Sequence, residues 1–192
     1  LEREVRRGTT ELCLHKFVPK VGDCVFIPAG TVHALGAGLL VAEIQQASDT
    51  TYRLYDWNRV GPDGKPRQLH VEQSLEVIDY SAGPVFPQLP RATERPYVER
   101  LAECDKFVLD RWTLSRRMGF QPVAKEDGLE ARPTIGGDGR FHIIAVLEGG
   151  IRLVGDPSGQ SLHKGETALL PAALTASLDF EDETVLLEAY LP

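Results

Sequence analysis

The chain is poor in most of the features that place a sequence in a special class. It has three cysteines, Cys13, Cys24 and Cys104, and no C-x-x-C pair. That excludes a disulfide framework and leads us to expect buried apolar thiols of a reducing compartment. No apolar run approaches the roughly 18 residues of a membrane span, and no signal peptide is visible. Positive charge is in deficit: 21 Lys and Arg against 28 Asp and Glu give a net charge of −7. This argues against nucleic acid or an anionic membrane as a partner, and a cytoplasmic protein is expected. Methionine is nearly absent, and the first residue is Leu1, inside a charged stretch that reads as the tail of a helix. With a plausible final strand at Thr184–Pro192, the expectation is the C-terminal part of something longer.

What is present is a phrase that occurs twice. The first copy is Gly22-Asp-Cys-Val-Phe-Ile-Pro28-Ala-Gly30-Thr-Val-His33, the second Gly165-Glu-Thr-Ala-Leu-Leu-Pro171-Ala-Ala173-Leu-Thr-Ala176. Both start at Gly, run through five residues with an apolar end and turn at Pro-Ala. They diverge where the first has Gly30 and His33 and the second has Ala at both places. Two related β-modules are expected, one bearing a site and one with the site erased. The hydrophobic content of 42% in 192 residues suffices for two small domains.

Short β-branched and aromatic runs punctuated by 18 Gly and 13 Pro predict an all-β sandwich or barrel rather than a parallel α/β sheet. Strands are expected at 11–18, 23–28, 39–46 and 51–57, then around 106–114, 141–147, 151–154, 167–171 and 184–190. Gly149-Gly150 reads as a hairpin signal. Val71, Leu75 and Ile78 fall at i, i+4 and i+7, the spacing of a short amphipathic helix near 70–79. Pro84, Pro87, Pro90 and Pro96 mark 83–96 as the expected linker. The expected domains are therefore 1–82, the C-terminal half of the site-bearing module, and 97–192, the degenerate one.

Gly22-x5-Pro28-x-Gly30-x2-His33 resembles the second signature motif of cupins, small double-sheet barrels of the jelly-roll type. Gly30 permits a tight turn and Pro28 fixes the approach, so that His33 can offer a neutral imidazole to a divalent metal. In the second module Gly136, His142, Glu148 and Gly155 match the first cupin motif, but Ile144 stands in place of its second His. Ala176 replaces the His of the second motif as well. Two ligands of four are lost, so the second module is read as metal-free and His142 and Glu148 as structural. No first motif precedes Gly22, where the sole His is His15, so that half of the barrel is expected upstream of Leu1.

The run from Gly22 to Gly36, followed by Val41-Ala-Glu-Ile-Gln-Gln46, Ser48-Asp-Thr-Thr-Tyr-Arg53-Leu-Tyr-Asp-Trp57 and Leu69-His-Val-Glu72, resembles type I mannose-6-phosphate isomerase. The resemblance implies two cupin-like jelly-roll modules and a zinc-dependent aldose–ketose isomerase acting on a phosphorylated hexose. It implies one zinc ion held by a Gln, two His and a Glu, and places the late His on His33. The remaining ligands are expected in the N-terminal part of the same protein. It places the active-site Arg on Arg53 and a nearby acidic position on Asp49.

A guanidinium is a permanently positive, multi-donor group suited to an enediolate or a phosphate. The competing reading of Arg53 is a surface ion pair with Asp49 or Asp56. Glu43 and Gln45 share an expected strand face and are candidates for substrate binding, with Glu43 equally able to find a backbone partner. His70 reads as a capping or solvent-facing residue, and Tyr52, Tyr55 and Trp57 as core packing. The alternative function is a non-catalytic cupin module that binds a sugar or sugar phosphate. An iron dioxygenase is disfavoured, because its His cluster is absent.

Overall fold

The computed structural model describes residues 1–48, 50–95, 97–115, 132–181 and 183–192. Contacts divide them into two units, Leu1–Gln88 and Leu89–Pro192. The division falls inside the Pro-rich stretch, part of which (Arg91–Ala92) is itself a short strand.

The second unit is a two-sheet sandwich. Its strands are β1 (Arg91–Ala92), β2 (Val98–Glu103), β3 (Val108–Leu114), β4 (Thr134–Gly136), β5 (His142–Glu148), β6 (Gly150–Val154), β7 (Ser161–His163), β8 (Thr167–Leu170), β9 (Thr175–Phe180) and β10 (Thr184–Tyr190). Six form one antiparallel sheet in the order β1-β2-β3-β10-β5-β8, and four form the other in the order β4-β9-β6-β7. All five strands expected in this half are present. β10 is central because it is paired along both edges: Leu186 lies opposite Trp112 of β3 on one side and Val146 of β5 on the other. Alternation sends Val98, Trp112, Leu114, Ile144, Val146, Leu170 and Leu186 of the first sheet inward. They meet Ile135, Ile151, Ala176 and Leu178 of the second in one core. Ile144 and Ala176, the residues that stand where a cupin would carry His, are thus core packing.

One turn was misread from the sequence. β5 and β6, on either side of Gly149, lie in different sheets, so Gly149-Gly150 is a corner and not a hairpin. The corner is held by the buried Thr184, whose hydroxyl donates to Glu181 O at 2.8 Å and lies 3.1 Å from Gly150 O. A hairpin would have paired β5 with β6 and left β10 without its second neighbour. β2, β4, β7 and β9 were not foreseen, because charged or small residues interrupt their apolar alternation.

The first unit contains α1 (Glu2–Arg7), a 3-10 turn at Thr10–Cys13 and α2 (Val71–Val77). The helix tail at the start and the helix near 70–79 are therefore present. The expected strands at 11–18, 23–28, 39–46 and 51–57 are not: none of these described residues belongs to a ladder. A strand exists only where a neighbouring strand supplies its N–H and C=O partners, and apolar alternation cannot supply one. Leu40 is accordingly 95% exposed, and Leu39 and Val41 are exposed beside it. Tyr52 and Trp57 are also exposed rather than core. Leu54 and Val5 are the buried apolar side chains of this unit among the described residues. The loop between Val60 and Pro66 is closed by one antiparallel bridge. All three cysteines are free, and Cys13 is exposed rather than buried, since the 3-10 turn presents it to solvent. Among the described residues no helix is long and apolar enough to cross a membrane.

Candidate functional site

Both copies of the repeated phrase fold into the same pair of turns. At the start of the first, Asp23 N donates to Lys20 O at 3.1 Å, and the Asp23 carboxylate accepts from Lys20 N at 2.8 Å. In the second, Glu166 N donates to His163 O at 2.9 Å and the Glu166 carboxylate accepts from His163 N at 2.7 Å. Gly22 and Gly165 occupy the third turn position at φ 90° and 88°. At the far end Thr31 N donates to Pro28 O at 3.2 Å, and Leu174 N to Pro171 O at 3.0 Å. Here the copies part. Gly30 is left-handed at φ 82°, and a Cβ on it would sit 2.9 Å from Val77 O. Its carbonyl accepts from Asp79 N at 3.0 Å, so the turn is seated against the end of α2. Only Gly permits both the conformation and the approach.

His33 follows this turn and is exposed. Its Nδ1 lies 3.0 Å from Thr31 O. A carbonyl only accepts, so Nδ1 carries the proton and Nε2 presents its lone pair. That is the arrangement of a metal-ligating imidazole, whose other nitrogen donates to the backbone.

Arg53 is half-buried and tied at three points by one segment. Its backbone N donates to His70 Nδ1 at 3.1 Å, its carbonyl accepts from His70 N at 2.8 Å, and its Nη1 donates to Gln68 O at 3.0 Å. The expected surface pair with Asp56 is not what holds it. The Asp56 carboxylate is buried and engaged by Arg67, through Nε at 2.7 Å and a second, shorter contact from Nη2, and by Arg59 at 3.1 Å. The Arg67 hydrogen bond holds Asp56 below the usual carboxylate range, with the charges of Arg67, Arg59 and Arg53 adding to it. Glu43 and Gln45 are both exposed. Asp49 lies outside the described residues. Among the described residues no hydrogen bond or ion pair joins His33, Glu43, Gln45 and Arg53 to one another.

The sequence reading missed the cage around Asp56. Its signal was the turn Asp56-Trp57-Asn58-Arg59, in which Trp57 and Asn58 are left-handed at φ 48° and 53° and Arg59 N donates to Asp56 O at 2.9 Å. Two successive non-Gly residues in that region are uncommon, and for a residue as bulky as Trp they mark a strained turn.

In the second unit the inner face of the larger sheet ends in a buried polar cluster. Glu188 on β10 accepts from Trp112 Nε1 at 2.7 Å and from Arg95 Nη2 at 3.4 Å. Arg95 lies over the Trp112 ring at 4.4 Å and reaches Asp110 at 3.8 Å. Asp110 accepts from Arg100 Nε at 3.0 Å and from the Tyr190 hydroxyl at 2.9 Å. Burial, then the Asp110 charge, pushes the Tyr190 phenol up to about 12, so it stays a donor at neutral pH. His142 Nε2 lies 3.0 Å from Asp138 Oδ1, and its Nδ1 lies 2.7 Å from Glu188 Oε1 without the alignment of a regular hydrogen bond. Burial raises Glu188, while Arg95, Trp112 and His142 pull it partly back.

His142 is thus used up in an ionic network. Glu148 stands exposed at the other end of β5, about 20 Å away at the rise of a strand, so the two cannot share an ion. Among the described residues no three His, Cys, Asp or Glu side chains converge as a metal site. His33 has the right tautomer for zinc, but one imidazole is not a zinc site, which takes three or four protein ligands. The described residues alone do not fit the ion.

No protein-family profile matches the chain. Among curated proteins, mannose-6-phosphate isomerase ManA of Bacillus subtilis is 34% identical over 171 residues, which are 88% of this chain and 50% of that protein. The mannose-6-phosphate isomerase of Streptococcus mutans is 30% identical over 173 residues, 89% of this chain and 49% of that protein. The chain therefore spans about half the length of the curated relatives it matches. Among solved structures, a mannose 6-phosphate isomerase from Bacillus subtilis superposes with a TM-score of 0.56 at 21% identity, over 74% of this chain and 40% of that one. The two share a fold, and the resemblance read from the sequence extends along most of the chain.

Proposed function

We propose that this chain is the C-terminal half of a mannose-6-phosphate isomerase, which in its complete form interconverts mannose 6-phosphate and fructose 6-phosphate in the cytoplasm. The observation that carries the reading is the similarity, along most of the chain, to relatives of that name. The reaction breaks the C2–H bond of the aldose, passes through an enediolate across C1 and C2, and returns a proton at C1. Charge develops on two neighbouring oxygens, and a group aimed at both is the main requirement.

Arg53 is the residue we assign to that charge. Its guanidinium is always positive and planar, and the Gln68 carbonyl occupies only one of its donors. Asp49 is assigned to work beside it, and Glu43 and Gln45 to contact the sugar. The zinc ion implied by the resemblance would take His33 as its ligand from this chain and the others from an upstream part like that of the relatives. A second reading is a module that binds a sugar phosphate without turning it over. It is favoured by the lack of a converging ligand set among the described residues.

The test is turnover. The complete protein should convert mannose 6-phosphate to fructose 6-phosphate, lose that activity to EDTA and regain it with zinc. Binding of the sugar phosphate with no turnover at any zinc concentration would establish the second reading instead.

A further inference from the structure

Arg53 belongs to a segment without ladder support, so something other than a sheet must hold its backbone still. Residues 68–70 do this, and His70 does most of it. The backbone N–H of Arg53 donates to His70 Nδ1 at 3.1 Å, and the backbone N–H of His70 donates back to Arg53 O at 2.8 Å. The exchange resembles one pair of a β-ladder, with an imidazole nitrogen replacing one carbonyl. His70 is fixed in turn by the start of α2: its carbonyl accepts from Ser74 N at 2.9 Å and from the buried Ser74 hydroxyl at 2.7 Å. The ring of Tyr52, the residue before Arg53, lies 6.1 Å from the imidazole. Because a backbone N–H can only donate, Nδ1 is the acceptor and the ring proton sits on Nε2.

We propose that His70 is a positioning residue of the isomerase, holding the Arg53 backbone so that its guanidinium keeps one orientation through turnover. The inference rests on the assignment of Arg53 above. It requires an acceptor at one point in space, the place of Nδ1, and not merely a polar or aromatic side chain. Asn places its Oδ1 close to that point, whereas Gln places its amide where Nε2 was.

The experiment compares His70→Asn, His70→Gln and Arg53→Lys in the complete protein. All three are assayed by steady-state kinetics at a temperature where circular dichroism shows each folded. His70→Gln should lower kcat by about 10- to 100-fold with a much smaller change in KM, the scale of losing a group that orients a reacting one. His70→Asn should stay within about 3-fold of the parent, because it restores the acceptor. Equal losses in both variants would overturn the proposal, since the ring and not its Nδ1 would then matter. Near-parental kcat in both, with Arg53→Lys inactive, would also overturn it while leaving the assignment of Arg53 standing. Full activity of Arg53→Lys would instead remove Arg53 from the site, and the positioning role with it.

Discussion

Glu188 gives the sharpest test of the second unit. It is 1% exposed, and Trp112, whose indole N–H it accepts, is fully buried. Glu188→Ala removes the only acceptor that this N–H has among the described residues, and an orphaned buried donor costs about 1–3 kcal/mol. It also leaves a void of several atoms in a packed interior and strips one of two carboxylates from Arg95. Arg95 is 36% exposed and keeps Asp110, so the loss expected here comes from the orphaned donor and the void, about 2–4 kcal/mol in all. Glu188→Gln is different. It keeps the volume and an oxygen for Trp112, and it removes the cost of burying a charge. Arg95 retains Asp110, so the loss should be about 0–1.5 kcal/mol. The assay is urea denaturation of the chain followed by Trp emission, where Trp112 dominates the change because it is fully buried while Trp57 is already 44% exposed. The pH dependence adds a signed test. Burial raises the folded-state value of Glu188, so the folded protein binds its proton more tightly than the unfolded chain does. The stabilisation is full below the ordinary carboxylate range and is lost as pH rises through the raised value, a slope that Glu188→Gln should abolish. Equal midpoints for the Ala and Gln variants, or an unchanged slope in Gln, would refute this account of the cluster.

Other outcomes follow from the first unit. His33→Ala in the complete protein should weaken zinc binding measured by chelator competition, while the 192-residue chain alone should bind zinc weakly or not at all; equal affinity with and without His33 would remove it from the metal. Arg53→Lys should lower kcat by about 10²-fold or more at unchanged zinc content, the scale of losing one donor to a developing oxyanion. Gly38→Ala should cost about 1–2 kcal/mol for the left-handed backbone alone, because its Cβ would meet nothing, whereas Gly30→Ala should cost more, because its Cβ meets Val77 O; denaturation midpoints in the wrong order would refute the seating of that turn against α2. Arg67 and Arg59 depress Asp56, so its contribution to stability is present above the ordinary carboxylate range and is lost as pH falls through the lowered value. Asp56→Asn should flatten that acid limb, measured as the denaturation midpoint against pH.

The sequence by itself determined what short-range bonds decide. The turns at Lys20–Asp23 and His163–Glu166, and those after Pro28 and Pro171, close through bonds between residues three apart, so the same phrase folds the same way twice. α2 was legible for the same reason, its bonds running within one turn of an amphipathic pattern. The passage between the turns was not. Thr167–Leu170 and residues 24–27 share one apolar pattern, yet only the first is a strand, because β5 lies beside it. A ladder is a property of two segments, and a pattern in one of them leaves the other undetermined. The same limit hid the site's support. Arg53 and His70 are separated by 17 residues, and Trp112 and Glu188 by 76. His142 could be picked out by motif spacing and Arg53 through the family resemblance, but what each one bonds to was decided only when folding brought distant segments together. Burial then decided what those bonds do, since a carboxylate such as Glu188 acquires its raised proton affinity from the low-dielectric interior that encloses it, not from its place in the chain.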